Sequence, residues 1–210
     1  MKTKNKKKLS FIQGITVHNP VFAAGLGIAP AVFIGSTLSG ALTYAAYFSA
    51  VTFAALVISS FLPRRIPYAV RIILYTAAAA IVYIPVYIFM GNRLPADPEK
   101  LGVFLPMIVT GQFIVSASEL RFFRMGKAAM LPDIISHIIG FDAAVILLGA
   151  VRELFSTGGI NGELYGINTV IPVLGAPCGG FILIGLIGAL IRFCTQGVSA
   201  PTSHRNDKGT

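Results

Sequence analysis

The run Tyr68-Ala-Val-Arg-Ile-Ile-Leu-Tyr-Thr-Ala-Ala-Ala-Ala-Ile-Val-Tyr-Ile-Pro-Val-Tyr-Ile-Phe-Met90 decides the fold class. It contains one charged residue, Arg71, close to its start. A helix needs about 20 consecutive apolar residues to cross the hydrocarbon core of a bilayer, and this run supplies them. Pro63-Arg-Arg-Ile-Pro67 precedes it and the polar segment Gly91–Lys100 follows, so both ends are punctuated by loop residues.

Five further apolar segments flank it. They run from about Pro20 to Leu38, Ala41 to Leu62, Leu101 to Ser118, Ile134 to Val151, and Ile171 to Cys194. Composition agrees. The 210 residues are 55% hydrophobic and 12% charged, with a mean hydropathy of +0.77. Soluble domains carry roughly 25% charged residues, so this chain has too little polar surface for a water-soluble globule. The expected fold is an all-α integral membrane protein with six transmembrane helices. Residues 1–19 form a basic arm, 20–195 a single membrane domain, and 196–210 a polar tail.

The net charge of +9 does not point to nucleic acid. The basic residues lie in the arm and in short loops between apolar runs, with no basic face on a soluble domain. They orient the protein instead. With the N-terminus inside, all but three of the 17 Lys and Arg fall on the cytoplasmic side; the exceptions are Arg93, Lys100 and Arg152. Both termini are therefore expected in the cytoplasm of a cell whose inner or plasma membrane holds the chain. The arm, with Lys2, Lys4, Lys6, Lys7 and Lys8, resembles the basic part of a signal peptide. The stretch after it is broken by polar residues and Pro20, so the arm is read as retained and lying against anionic lipid.

Two segments are interrupted. The first holds Asn19-Pro20, Gly25-Leu-Gly-Ile-Ala-Pro30 and Gly35; the fourth holds Pro106 and Thr110-Gly-Gln112. Each opens one half of the chain. Three spans is an odd number, so two related halves must insert upside down relative to one another. Broken helices at corresponding places mark an inverted repeat with a site near the midplane. The repeats are read as about 20–91 and 101–195. Ordinary use of Gly and Pro in membrane helices is the plainer explanation.

These residues also carry a resemblance. Asn19-Pro-Val with Leu26-Gly-Ile, Ile66-Pro-Tyr-Ala-Val-Arg-Ile-Ile73, Ile108-Val-Thr110, Glu119, Asp133, Gly149-Ala-Val-Arg-Glu-Leu-Phe155 and Ala176-Pro-Cys-Gly-Gly-Phe-Ile-Leu-Ile-Gly185 occur in order over nearly the whole chain. Together they resemble the RnfE/NqrD branch of the six-helix subunits of Rnf and Na⁺-translocating NADH:quinone oxidoreductase complexes. The resemblance implies two inverted triplets and an oppositely inserted RnfA/NqrE-like partner, or a second copy, with flavin-bearing redox subunits nearby. It also implies a [2Fe–2S] cluster held by one cysteine from each broken helix and two from the partner, passing electrons between flavins on the two sides.

The chain departs from the family at those cysteines. Ala29 and Gln112 stand in their places. Alanine has no donor atom, and iron–sulfur clusters are held by thiolates. Cys178 and Cys194 lie sixteen positions apart in one apolar run, about 24 Å along a helix at ~1.5 Å per residue. They can neither pair nor share a metal there. Ser116-Ala-Ser-Glu119 and Ile134-Ile-Ser-His-Ile-Ile139, followed by Asp142, are further departures near the expected site. The expectation is a divergent relative with no cluster or other cofactor of its own, acting as scaffold or ion path and at most a non-catalytic subunit.

The polar residues of the apolar segments are the remaining candidates, since ionisable groups there are costly. Thr110, Gln112, Ser116, His137 and Asp142 form a candidate midplane polar site, with Asp142 as a proton or cation carrier. A protonated Asp142 filling space between helices is the bland alternative. Arg152 and Glu153 are expected to snorkel and pair at the interface, and Glu119 and Arg121 to cap and anchor the fourth helix. A non-redox transporter on the same scaffold is the competing function, and a structural membrane anchor without chemistry a third. No phosphate loop, His-Glu-x-x-His or paired carboxylates at useful spacing are found.

Overall fold

The computed structural model describes residues 27–63, 65–91, 93–96, 98–121, 127–160, 163–164 and 171–196. The basic arm, the Asn19-Pro20 pair and most of the expected first span lie outside the described residues, as do Arg64, Arg124 and positions 197–210.

Helix α1 spans Ile28–Ile34, α2 Leu38–Ser59 and α3 Tyr68–Met90. The next segment is broken. A single turn, α4 (Pro98–Leu101), leads into 3₁₀ turns at Gly102–Phe104 and Pro106–Ile108, then α5 (Gln112–Arg121). Helix α6 spans Lys127–Thr157, and α7 spans Pro177–Gln196 after a 3₁₀ turn at Pro172–Gly175. The only strands among the described residues, β1 (Gly159–Ile160) and β2 (Glu163–Leu164), form a small antiparallel hairpin in the glycine-rich loop.

Four stretches are long and apolar enough to cross a membrane: Leu38–Ser59, Tyr68–Met90, Gly102–Glu119 and Leu131–Thr157. Pro177–Leu190 is a shorter apolar helix. The chain is thus an all-α membrane protein. The interruption read in the fourth segment is present in the backbone; that read in the first falls partly outside the described residues, and α1 runs unbroken from Ile28 to Ile34, through Pro30. A break follows α1, where Gly35 N–H closes the last turn on the Ala31 carbonyl. The chain then restarts at Leu38, with Thr37 as N-cap accepting from Gly40 N–H at 3.3 Å. The helix therefore begins three residues before the expected Ala41. In the fourth segment, the Thr110–Gly111 turn separates the 3₁₀ turns from α5.

Helices α2 and α6 form the centre. Over half of each spanning window is buried (56%), against 17% for α3. Their packing is anchored by aromatic rings. Phe48 of α2 stacks on Phe141 of α6 with centroids 3.9 Å apart, and Phe113 of α5 meets Phe48 edge-on at 5.2 Å. Near the start of α2 the two helices touch backbone to backbone. A Cβ at Gly149 would lie 2.7 Å from the Ala41 Cβ and 3.1 Å from the Thr37 carbonyl oxygen, so only glycine permits this crossing.

The fifth segment is longer than its apolar core suggested. It was expected over about 134–151; the helix continues to Thr157 and so carries Arg152 and Glu153 inward.

Candidate functional site

Two adjacent charges hold the first interruption. A break in a helix exposes carbonyls at the end of one piece and N–H groups at the start of the next. Arg152 is 1% exposed, and its guanidinium donates to carbonyls. Nη1 donates to Val32 of α1, Nε to Leu174 at 3.0 Å, and Nη2 to Gly175 at 3.0 Å and Ala176 at 3.1 Å. Glu153, 7% exposed, accepts the Leu38 N–H at 2.6 Å at the start of α2. Positive charge thus meets a helix C-terminus and negative charge a helix N-terminus, the favourable sense of the helix dipole. The expectation that both residues snorkel at the interface is corrected. They are buried because the break and the Pro172–Gly175 turn present more backbone polar groups than the helices satisfy.

A second constellation ties α3 to α5. Arg71 Nη2 lies 2.9 Å from Glu119 Oε2, and the Tyr75 hydroxyl donates to Glu119 Oε1 at 3.0 Å. Glu119 therefore links two helices rather than merely ending its own. The sequence held both partners but no spacing that joins them.

The third is a polar contact midway along the two central helices. Ser49 of α2 donates its hydroxyl to Asp142 Oδ2 on α6. Nothing in the sequence singles out Ser49, because lone serines in apolar helices are common.

The five residues of the expected midplane site are placed as follows. Thr110 and Gln112 are exposed at the second break, and the Thr110 hydroxyl turns back to the Met107 carbonyl. Ser116 is half-buried in α5. His137 is buried, with Nδ1 2.8 Å from the Asp133 carbonyl one turn earlier. Asp142 is half-buried and engaged by Ser49. Ala29 is exposed on α1. The two breaks are brought together: Phe33 of α1 stacks on Phe104 of the first 3₁₀ turn, with centroids 4.6 Å apart.

A cavity of about 490 Å³ beside the second break is lined by Tyr83, Tyr87, Glu99, Gly102, Leu105 and Pro106, none of them among those five. No three His, Cys, Asp or Glu side chains converge in a way that could hold a metal among the described residues.

Comparison with known proteins follows the scaffold rather than any one of these contacts. A family model described as "Rnf-Nqr subunit, membrane protein" matches residues 8–188. The E component of the Na⁺-translocating ferredoxin:NAD⁺ oxidoreductase complex of Acetobacterium woodii is 30% identical over 186 residues, covering 88% of this chain and 95% of that one. The E component of the proton-translocating ferredoxin:NAD⁺ oxidoreductase complex of Clostridium ljungdahlii is 27% identical, covering 89% and 88%. The D component of the Na⁺-translocating NADH-quinone reductase of Shewanella sp. (strain ANA-3) is 28% identical, covering 85% and 88%. With the match spanning all the helices but the end of α7, the chain belongs to the Rnf-Nqr family of membrane subunits.

Proposed function

We propose that the chain is a membrane subunit of an ion-translocating electron-transport complex, working without a [2Fe–2S] cluster of its own. The carrying observation is a family match over nearly the full length combined with Ala29 in α1 and Gln112 at the start of α5, where the family carries its cysteines. Alanine offers no ligand and a glutamine amide is a poor substitute for thiolate, so the residues present do not fit the cluster. Cys178 is exposed at the start of α7, on neither of the segments that carry Ala29 and Gln112. In this reading electrons pass through other subunits. The chain supplies a scaffold and an ion path, with the Thr110, Gln112, Ser116, His137 and Asp142 region as its polar part.

The finer reading has six spans in two inverted triplets and both termini in the cytoplasm. The partner is an oppositely inserted homologue or a second copy, beside flavin-bearing subunits. The bias of Lys and Arg supports the orientation, and the recurrence of short helical pieces followed by two long helices supports the repeat.

The test is mild-detergent purification of the chain from its own cell, with identification of the co-purifying subunits and measurement of iron and acid-labile sulfide. Redox subunits are expected, and Gln112→Ala leaves the iron and sulfide content unchanged. A fall in both on that substitution, or purification without any redox subunit, overturns the reading. The Ser49–Asp142 contact inside the membrane favours a second reading, a non-redox carrier. Liposome flux by the chain alone that Asp142→Asn abolishes would select it.

A further inference from the structure

Asp142 lies near the middle of its span, and Ser49 near the middle of α2. Ser49 occupies Oδ2. The other oxygen, Oδ1, is buried and has no hydrogen-bond partner among the described residues. The same is true of Thr52 Oγ1, on a residue with no exposure at all. Thr52 follows Ser49 by three positions, so the two hydroxyls share one face of α2. Side chains lean toward the N-terminus of their own helix. Helices α2 and α6 run antiparallel here, as the paired contacts Ala41–Gly149 and Phe48–Phe141 require. Thr52 therefore leans back toward Ser49, while Asp142 leans toward the level of Thr52.

We propose that Asp142, Ser49 and Thr52 form a binding site for one small hard cation, sodium or a proton, between α2 and α6. A carboxylate at this depth must be neutralised. The described arginines drawn among the helices are engaged elsewhere, Arg152 by four carbonyls and Arg71 by Glu119, and His137 turns its Nδ1 to the Asp133 carbonyl. An all-oxygen donor set suits hard cations over soft metals. One carboxylate with two hydroxyls matches a single positive charge, whereas divalent ions collect six or more oxygens. The stacked rings of Phe48 and Phe141, one residue before Ser49 and Asp142, fix the two helices against each other at this level.

Of the titratable groups on the elements packed against α6, Tyr44 of α2 faces Asp142. Helix α1, β1 and the Pro172–Gly175 turn carry none. Cys178 of α7 sits by Arg152, and Glu119 of α5 is held by Arg71 and Tyr75. On α6 itself Asp133 and His137 lie toward one end, Arg152 and Glu153 toward the other.

The site deepens the ion-path reading and rests on it only for its use in the cell. Binding is measured on the full chain alone, so its failure is separate from failure to co-purify with redox subunits. The probe is dicyclohexylcarbodiimide, which modifies protonated carboxyls in apolar surroundings, with labelling of Asp142 followed by mass spectrometry in detergent. Labelling is expected at acidic pH. Protection by NaCl but not by choline chloride identifies sodium; protection only by raised pH identifies a proton carried on the carboxyl itself. In either case Ser49→Ala and the near-isosteric Thr52→Val shift the protecting concentration about tenfold, the effect of one lost hydrogen bond to a charge, and Thr52→Ser restores it. Absence of labelling at every pH, or wild-type protection in both Ser49→Ala and Thr52→Val, overturns the proposal.

Discussion

Arg152 carries more of the backbone's unmet demand than any other side chain described. Its guanidinium accepts no substitute easily, because only a planar fork with five donors reaches carbonyls on α1 and on the turn before α7 together. Arg152→Met is expected to leave four carbonyls, one buried and three part-buried, short of donors and to destabilise the protein by about 3 kcal/mol, seen as earlier loss of the monodisperse peak after heating. Arg152→Lys should recover only part of that loss. Glu119 makes a milder case. Glu119→Gln keeps an acceptor for Tyr75 but loses the charge opposite Arg71, at an expected cost of about 1–3 kcal/mol by the same assay. Neither role was legible in the sequence. Arg-Glu at the end of an apolar run looks like an interface anchor, and only the neighbouring break reveals what the pair satisfies.

The breaks themselves were legible, because Gly and Pro announce them chemically. Pro106 to Gln112 cannot continue an ordinary helix, and the backbone interrupts within it; α1 ends at Gly35, but it runs through Pro30 without a break. Element ends were less legible. Helix α2 starts at Leu38 because Thr37 caps it, and α7 starts at Pro177, a residue suited to the first helical position. The hairpin at 159–164 has strands of two residues each, too short for any alternation to be read. At this scale the crossing of α2 and α6 is the most sensitive point. Gly149→Val places a side chain against Ala41 and the Thr37 carbonyl and must push the helices apart. A loss of about 1–3 kcal/mol is expected from such overpacking. Gly149→Val paired with Ala41→Gly should regain part of it; no recovery would mean that the Thr37 backbone is the limiting contact.

Taken whole, the molecule has a buried pair, α2 and α6, and a set of more exposed apolar helices around it. Ile73, Ile81, Ile84, Ile88 and Phe89 of α3, and Ile182, Leu186, Leu190 and Phe193 of α7, are exposed on the isolated chain. In a membrane protein these are the surfaces that lipid or other subunits cover. Membrane placement followed from hydropathy alone, since long uncharged runs admit few other fates. Orientation rests on the Lys and Arg bias and has its own test. In a Cys178→Ser, Cys194→Ser background, Thr210→Cys should react with a membrane-impermeant maleimide only after the cells are opened. Lys100→Cys should react in intact cells. The reverse pattern would turn the protein over. Asp142 as a polar candidate was visible in the sequence, but its companion Ser49 was not, because their proximity depends on a helix crossing ninety-three positions apart in the chain.

The Arg152–Glu153 clamp also has a consequence in time. The first half of the chain is made first, yet its break between α1 and α2 is completed by residues more than a hundred positions later: 120 from Val32 to Arg152 and 115 from Leu38 to Glu153. Until α6 is threaded into the bilayer, the nascent N-terminal half waits with an open seam. A fragment ending after α3 is therefore expected to be a substrate for membrane proteases, and to persist only when the remaining fragment is synthesised beside it.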